Sequence, residues 1–367
     1  MSGFLGMMFT GGGGSTPAVT PSAYIAYGGA TTSKRITVYP WNSTSGFGTA
    51  FTTPSVTAEV HEVSFVTDNS NISASTWVAP YLNVWQWSGL GFGTKYADPA
   101  SQLNPASNGP TGYTWTNNLN AILTVNNNVP SYPQAWAWST ASGFGSKYAN
   151  GSLLTSGNTP RGITLNADSS QVAFQIFSSG GTPGNPAAPA IALYPWSGGF
   201  GTRYASPSSL PAGYPLGEIA ISFNKVTNDL ICGTNTAPFL YAYPVTSAGF
   251  GTKYSNPSVA LSTAVNSLKF SGDGATIATV NLGSPTVNAY QWGAGFGTKY
   301  ANPVSAPAYA FSMDWSSTSN AIATGQKNAN PYTAVFAWTS GGFGAKYSDP
   351  GTFPGTASYV SFANQSR

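Results

Sequence analysis

Ala289-Tyr-Gln-Trp-Gly-Ala-Gly-Phe-Gly-Thr-Lys-Tyr-Ala-Asn-Pro303 is one copy of a phrase that the chain repeats, with variations, seven times in 367 residues. Its Gly-Phe-Gly core begins at Gly46, Gly91, Gly143, Gly199, Gly249, Gly295 and Gly342, at intervals of 45, 52, 56, 50, 46 and 47 residues. The central residues are Phe47, Phe92, Phe144, Phe200, Phe250, Phe296 and Phe343. Ahead of each core lies an aromatic run such as Val84-Trp-Gln-Trp87 or Ala135-Trp-Ala-Trp138. Its last tryptophan is Trp41, Trp87, Trp138, Trp196, Trp292 or Trp338, with Val245 standing in once. Fixed-period self-similarity of this length is the mark of a repeat architecture.

A second element keeps the same count. An apolar–polar–apolar triplet followed by turn residues occurs at Val63-Ser-Phe65, Tyr113-Thr-Trp115, Ile163-Thr-Leu165, Ile221-Ser-Phe223, Leu268-Lys-Phe270, Met313-Asp-Trp315 and Val360-Ser-Phe362. Such alternation predicts half-buried strands. Turn residues then lead into short aliphatic runs such as Ala121-Ile-Leu-Thr-Val125. Each unit therefore reads as four strands: A (the triplet), B (the aliphatic run), C (the aromatic run) and D (from Gly-Phe-Gly through tyrosine).

Four-stranded units of roughly 40–50 residues predict an all-β, seven-bladed β-propeller with antiparallel blades. A linear stack would leave apolar faces open at both ends, and a ring removes them. The first Gly-Phe-Gly has B and C material before it (Ala23–Tyr27, Ile36–Tyr39) and no triplet. The last triplet, Val360–Phe362, has no B, C or D material after it. The closing blade is thus expected to take three strands from the front of the chain and one from the back.

Composition agrees. Charged residues make up 6% of the chain, while 41% is hydrophobic and 14% aromatic. Polar surface must come from Ser, Thr, Asn and Gly, which favour turns and strand faces over helix interiors. Net charge is +3, with no basic stripe of the kind nucleic-acid binding uses. Cys232, the lone cysteine, reads as a small buried hydrophobe.

Residues 1–22 read as an appendage to the 23–367 propeller. Phe4, Leu5, Met7, Met8 and Phe9 form an apolar peptide, too short for a membrane span and without a signal peptide's charged start. Gly11 to Gly14 then form a tether. This peptide is expected to anchor the ring to another protein.

Gly-Phe-Gly is expected to turn strand C into strand D, with its phenylalanine and the C-strand tryptophan packing blade on blade. The motif's basic position (Lys95, Lys147, Arg203, Lys253, Lys299, Lys346; Ala50 in the first copy) is expected on the rim. There it guards sheet edges or meets an acidic partner. Catalytic signatures are few. His61, the only histidine, stands beside Glu62 and reads as a loop or strand-start residue; alone it builds neither a multi-histidine metal site nor a triad. Asp98 and Asp349 fall in D-strand tails, and Asp68, Asp168 and Asp273 in A–B turns. A carboxylate pair across the ring, as in glycosidases, is left open. No catalytic residue, metal or cofactor is expected.

The four-strand blade and split closing blade resemble the WD-repeat propellers over about residues 23 to 367, although that family's Gly-His and Trp-Asp dipeptides are missing. The Trp…Gly-Phe-Gly-Thr-Lys-Tyr-Ala-Asn-Pro phrase resembles propellers encoded by tailed bacteriophages. That second resemblance implies a non-enzymatic structural or decorating protein of a phage particle. It would be docked on capsid or tail proteins through residues 1–10 and made in the host cytoplasm, and it would display the ring for structural or host-surface contact. A carbohydrate-binding adhesin that meets host glycans is the alternative, and a propeller-fold glycosidase the more remote one.

Overall fold

The computed structural model describes residues 21–29, 35–56, 58–100, 110–126, 132–152, 154, 158–178, 191–211, 220–326, 332–351 and 357–363. The expected anchor residues Phe4, Leu5, Met7, Met8 and Phe9 and the glycine tether lie outside them.

The described residues form seven antiparallel sheets and no helix. Blades are numbered by their Gly-Phe-Gly core. Blades 2, 3, 5, 6 and 7 run A-B-C-D in chain order, and in blade 4 strand D shrinks to the bridge Trp196↔Phe200. Blade 1 joins Ala23–Gly28, Ile36–Asn42 and Gly46–Phe47 to Tyr359–Phe362 from the other end of the chain. Its seam pairs Ile25 with Phe362, Ala26 with Ser361, Tyr27 with Val360 and Gly28 with Tyr359. The ring is closed. Each A strand touches the A strand of both neighbouring blades, all the way round.

Strand B of each blade is buried on both faces, as at Asn71–Thr76 and Ala121–Asn126, because each sheet is sandwiched between two others. The core is therefore a ring of inter-blade clusters, not one central mass. The A–B turns bend through a left-handed residue, for example Asn69, Leu119, Ser169 and Asn228. Three of these four are Asn or Ser, short side chains suited to turns.

The repeated phrase explains the wedges. The residue at the tryptophan position pairs with the core phenylalanine in every blade, from Trp41↔Phe47 to Trp338↔Phe343, with Val245↔Phe250 in blade 5. Turn length between them varies, yet this pair never slips. Rings of each such pair meet edge-to-face at 4.9–5.2 Å in the six tryptophan blades. The phenylalanine thus lies on its own blade's tryptophan, where a neighbouring blade's ring was expected. Blade-to-blade ring contact falls to the motif tyrosine: Tyr96 on Trp138, Tyr148 on Trp196, Tyr254 on Trp292, Tyr300 on Trp338 and Tyr347 on Trp41, at 4.6–5.5 Å. Phe51 does the same for Trp87 at 5.2 Å. The motif's first glycine is needed twice over. Gly143 has φ +80°, and a Cβ there would sit 3.0 Å from the Tyr96 ring.

Candidate active site at the channel mouth

The A strands line the central channel, so residues that alternate along them set its chemistry. Two polar levels result. The first is the middle residue of each triplet: Ser64, Thr114, Thr164, Ser222, Lys269, Asp314 and Ser361. Several of these bind the next blade. Ser361 Oγ accepts from the Phe65 N–H (3.4 Å), Thr164 Oγ1 from Phe223 N–H (3.4 Å) and Asp314 Oδ2 from Phe362 N–H (2.7 Å). Lys269 Nζ reaches Asp314 Oδ1 at 2.8 Å. This level is largely committed to holding the ring.

The second level sits where the A strands begin. In blades 2, 3, 4 and 6 the A–B ladder skips one A-strand residue, leaving His61, Thr111, Arg161 and Asn266 as bulges. A bulge re-aims a side chain that would otherwise sit in the alternating pattern. These residues occupy one register, two before the triplet, and differ in every blade.

Neighbouring bulges are fixed to one another. Glu62 Oε2 accepts from the Tyr113 N–H of blade 3 (3.1 Å), and Thr111 Oγ1 donates to Pro160 O of blade 4 (2.5 Å). Gly112 permits the close approach; a Cβ there would meet Arg161 O at 3.0 Å and Ile163 Cγ2 at 3.3 Å. His61 is 8% exposed, with its ring 4.1 Å from Trp77 in an edge contact and 6.2 Å from Tyr359. The imidazole is therefore held by rings of two blades. Burial raises the Tyr113 phenol well above its ordinary range, and the neighbouring Glu62 charge adds to this. Tyr113 stays neutral and donates to Ser73 O at 2.9 Å. His61 and Glu62 on blade 2 and Arg161 on blade 4 thus supply a base, a carboxylate and a cation where the A strands begin, with blade 3 between them.

The motif residues serve packing, and the rim cations are partly tied down. Lys95 and Lys346 pair with Asp98 and Asp349 at 2.8 and 2.6 Å. Lys253 donates to Asn256 Oδ1 (2.7 Å), and Arg203 to Leu154 O (3.2 Å). Lys147 lies over the Trp136 ring at 5.4 Å, and burial lowers its pKa. A cavity of about 250 Å³ is lined by Ala79, Pro80, Asp98 and Pro99, none of them a mouth residue. It offers one carboxylate, already paired with Lys95, and is the poorer chemical site. Among the described residues no three His, Cys, Asp or Glu side chains cluster as metal ligands, and no helix is long and apolar enough to cross a membrane.

No family model matches the chain, and no curated protein does. Solved structures do match in fold. A periplasmic gluconolactonase from Pseudomonas aeruginosa is 11% identical, with 93% of this chain and 99% of that one covered and a TM-score of 0.65. A putative 6-phosphogluconolactonase from Bacteroides fragilis is 10% identical, covering 95% and 100%, with a TM-score of 0.67. The β-propeller domain of Cps50 (Swd1) from Myceliophteria thermophila is 13% identical, covering 78% and 86%, with a TM-score of 0.54. The broad WD-repeat-like propeller likeness stands. The expectation of a non-enzymatic phage structural protein does not: proteins named as lactonases share this fold over nearly its whole length. Ester hydrolysis needs only a base and a stabiliser of negative charge, so the lack of a triad or a multi-histidine centre does not exclude it.

Proposed function

We propose that this chain is a hydrolase of small cyclic esters of the sugar-lactone kind, with its reaction centre at the channel mouth. The observation that carries the reading is the unrepeated polar set His61, Glu62 and Arg161 in an otherwise repetitive ring, with His61 and Arg161 on bulges and Glu62 next to the first. The lactonase names of two fold neighbours supply the reaction class.

In this reading water attacks the lactone carbonyl carbon as His61 takes its proton. The carbonyl oxygen becomes an oxyanion facing the Arg161 guanidinium. Collapse breaks the bond from carbonyl carbon to ring oxygen, and His61 returns the proton to that oxygen, giving the open hydroxy acid. Glu62, anchored on the Tyr113 amide, balances the imidazolium. The test is hydrolysis of 1,5- and 1,4-aldonolactones by the full chain, against the spontaneous rate. We expect His61→Ala to lower kcat/KM by about 10²–10⁴-fold and Arg161→Ala by about 10²–10³-fold. Turnover no faster than buffer for every lactone would end the proposal.

A further inference from the structure

The seam between blades 7 and 1 carries a feature that neither packing nor lactone chemistry uses. Arg35 begins strand C of blade 1, its carbonyl accepting from the Gly29 N–H at 2.9 Å. Gly28 pairs with Ile36 on one side and Tyr359 on the other. The next step in both ladders sets Arg35 and Ser358 on either side of Gly29, which has no side chain. Paired residues project to the same face of a sheet. Arg35 therefore shares a face with Ser358 and, two residues on, with Thr37, the ladder partner of Tyr27. That face meets blade 7, because the Tyr27 hydroxyl accepts a hydrogen bond from Thr333. Across it, Thr333 and Ser312 both pair with Gly325. A Cβ at Gly325 would lie 2.8 Å from Ser312 Oγ and 3.2 Å from the Ser358 carbonyl carbon. Ser312 thus stands against the Ser358 segment.

Four residues along this seam have buried polar side-chain atoms with no hydrogen-bond partner: Arg35 Nε and Nη1, Thr37 Oγ1, Ser312 Oγ and Ser358 Oγ. The three hydroxyl residues are at most 2% exposed. Every one of these atoms can donate. Among the described residues no carboxylate pairs with Arg35, which is half-buried, and leaving two guanidinium nitrogens out of water without a partner is unfavourable. A guanidinium and three hydroxyls, all of them able to donate, are complementary to an anion with several acceptor oxygens. We propose that the seam binds a tetrahedral oxyanion, phosphate in chemical class, which bridges the first and last blades. Ligand occupancy then reinforces the one joint where the ring is held together by non-covalent contacts between the chain ends. The proposal does not rest on the hydrolase reading, since none of its four residues belongs to the proposed reaction centre.

The test is thermal unfolding of the full chain in inorganic phosphate and in sodium chloride of matched ionic strength. A saturable rise of roughly 3 °C is expected at a hundredfold excess over the dissociation constant, in phosphate alone. Arg35→Met keeps the apolar stem and should abolish the rise. Without phosphate the same variant should match or exceed the wild type, because it relieves an unpaired charge. If Arg35→Met does not fold, Ser358→Ala should weaken the half-saturating phosphate concentration at least threefold. No saturable shift in the wild type, or the full shift in a folded variant, would overturn the site.

Discussion

Asp229 shows how a single residue ties two blades together. It is 3% exposed, and its carboxylate accepts from the Trp292 indole N–H of blade 6 (3.0 Å), the Tyr254 hydroxyl (2.8 Å) and the Thr227 hydroxyl. Removing it would strand buried donors from two wedge rings. Asp229→Ala should destabilise the ring by roughly 2–4 kcal/mol in chemical denaturation, whereas Asp98→Ala, at an exposed ion pair, should cost about 0–1 kcal/mol. Gly143 offers a second residue-scale check. Gly143→Ala forces positive φ on a side chain aimed at the Tyr96 ring. It should lower stability by more than the roughly 1 kcal/mol of the glycine conformational term alone.

At the scale of elements, the closing blade is the informative case. Strand Tyr359–Phe362 pairs only with Ala23–Gly28 in the ladder, yet it also touches the A strands of blades 2 and 7. Deleting residues 357–367 would expose the inner edge of blade 1 and open the ring. Cooperative unfolding should be lost, and a synthetic peptide of residues 350–367 added in trans should restore it; a truncated chain that unfolds as sharply as the full one would argue against the latch. This latch was legible in the sequence because packing rules act identically on every blade. The tryptophan, phenylalanine and glycine positions announced themselves by recurring. The motif tyrosine also recurred, but its reach into the next blade was hidden, since spacing alone does not say which neighbour a ring faces. The mouth residues were illegible for the opposite reason. His61, Thr111, Arg161 and Asn266 fill one register of four blades with four different side chains, so no repetition marks them. The bulges that set them there depend on pairing across the sheet. What could have been read was the departure itself: a position fixed in the repeat frame and free in identity is where a symmetric scaffold carries asymmetric chemistry.

For the whole molecule, burial of phenols gives a pH signature. Burial raises Tyr254 and Tyr290 to about 12 and pushes Tyr27, Tyr113 and Tyr243 upward; Cys232 is raised to about 12. The unfolded chain releases these protons near pH 10 for the phenols and near 9 for the thiol, earlier than the folded ring does. Between those values and 12 the folded state holds more protons, so stability falls as pH rises, and these groups contribute their full share only below pH 9. Thermal midpoints should drop steeply above pH 9–10, with more than one proton coupled to unfolding. A midpoint independent of pH up to 12 would contradict the buried-phenol core.

The asymmetric mouth, not the symmetric packing, is where we propose that this ring acts. A crystal structure of the full chain with an aldonolactam, which mimics the lactone ring but resists hydrolysis, tests it most directly. The account predicts density for the lactam in contact with His61 and Arg161 where the A strands of blades 2 to 4 begin. Density instead between Pro80 and Asp98, or along the tryptophan wedges, would contradict it.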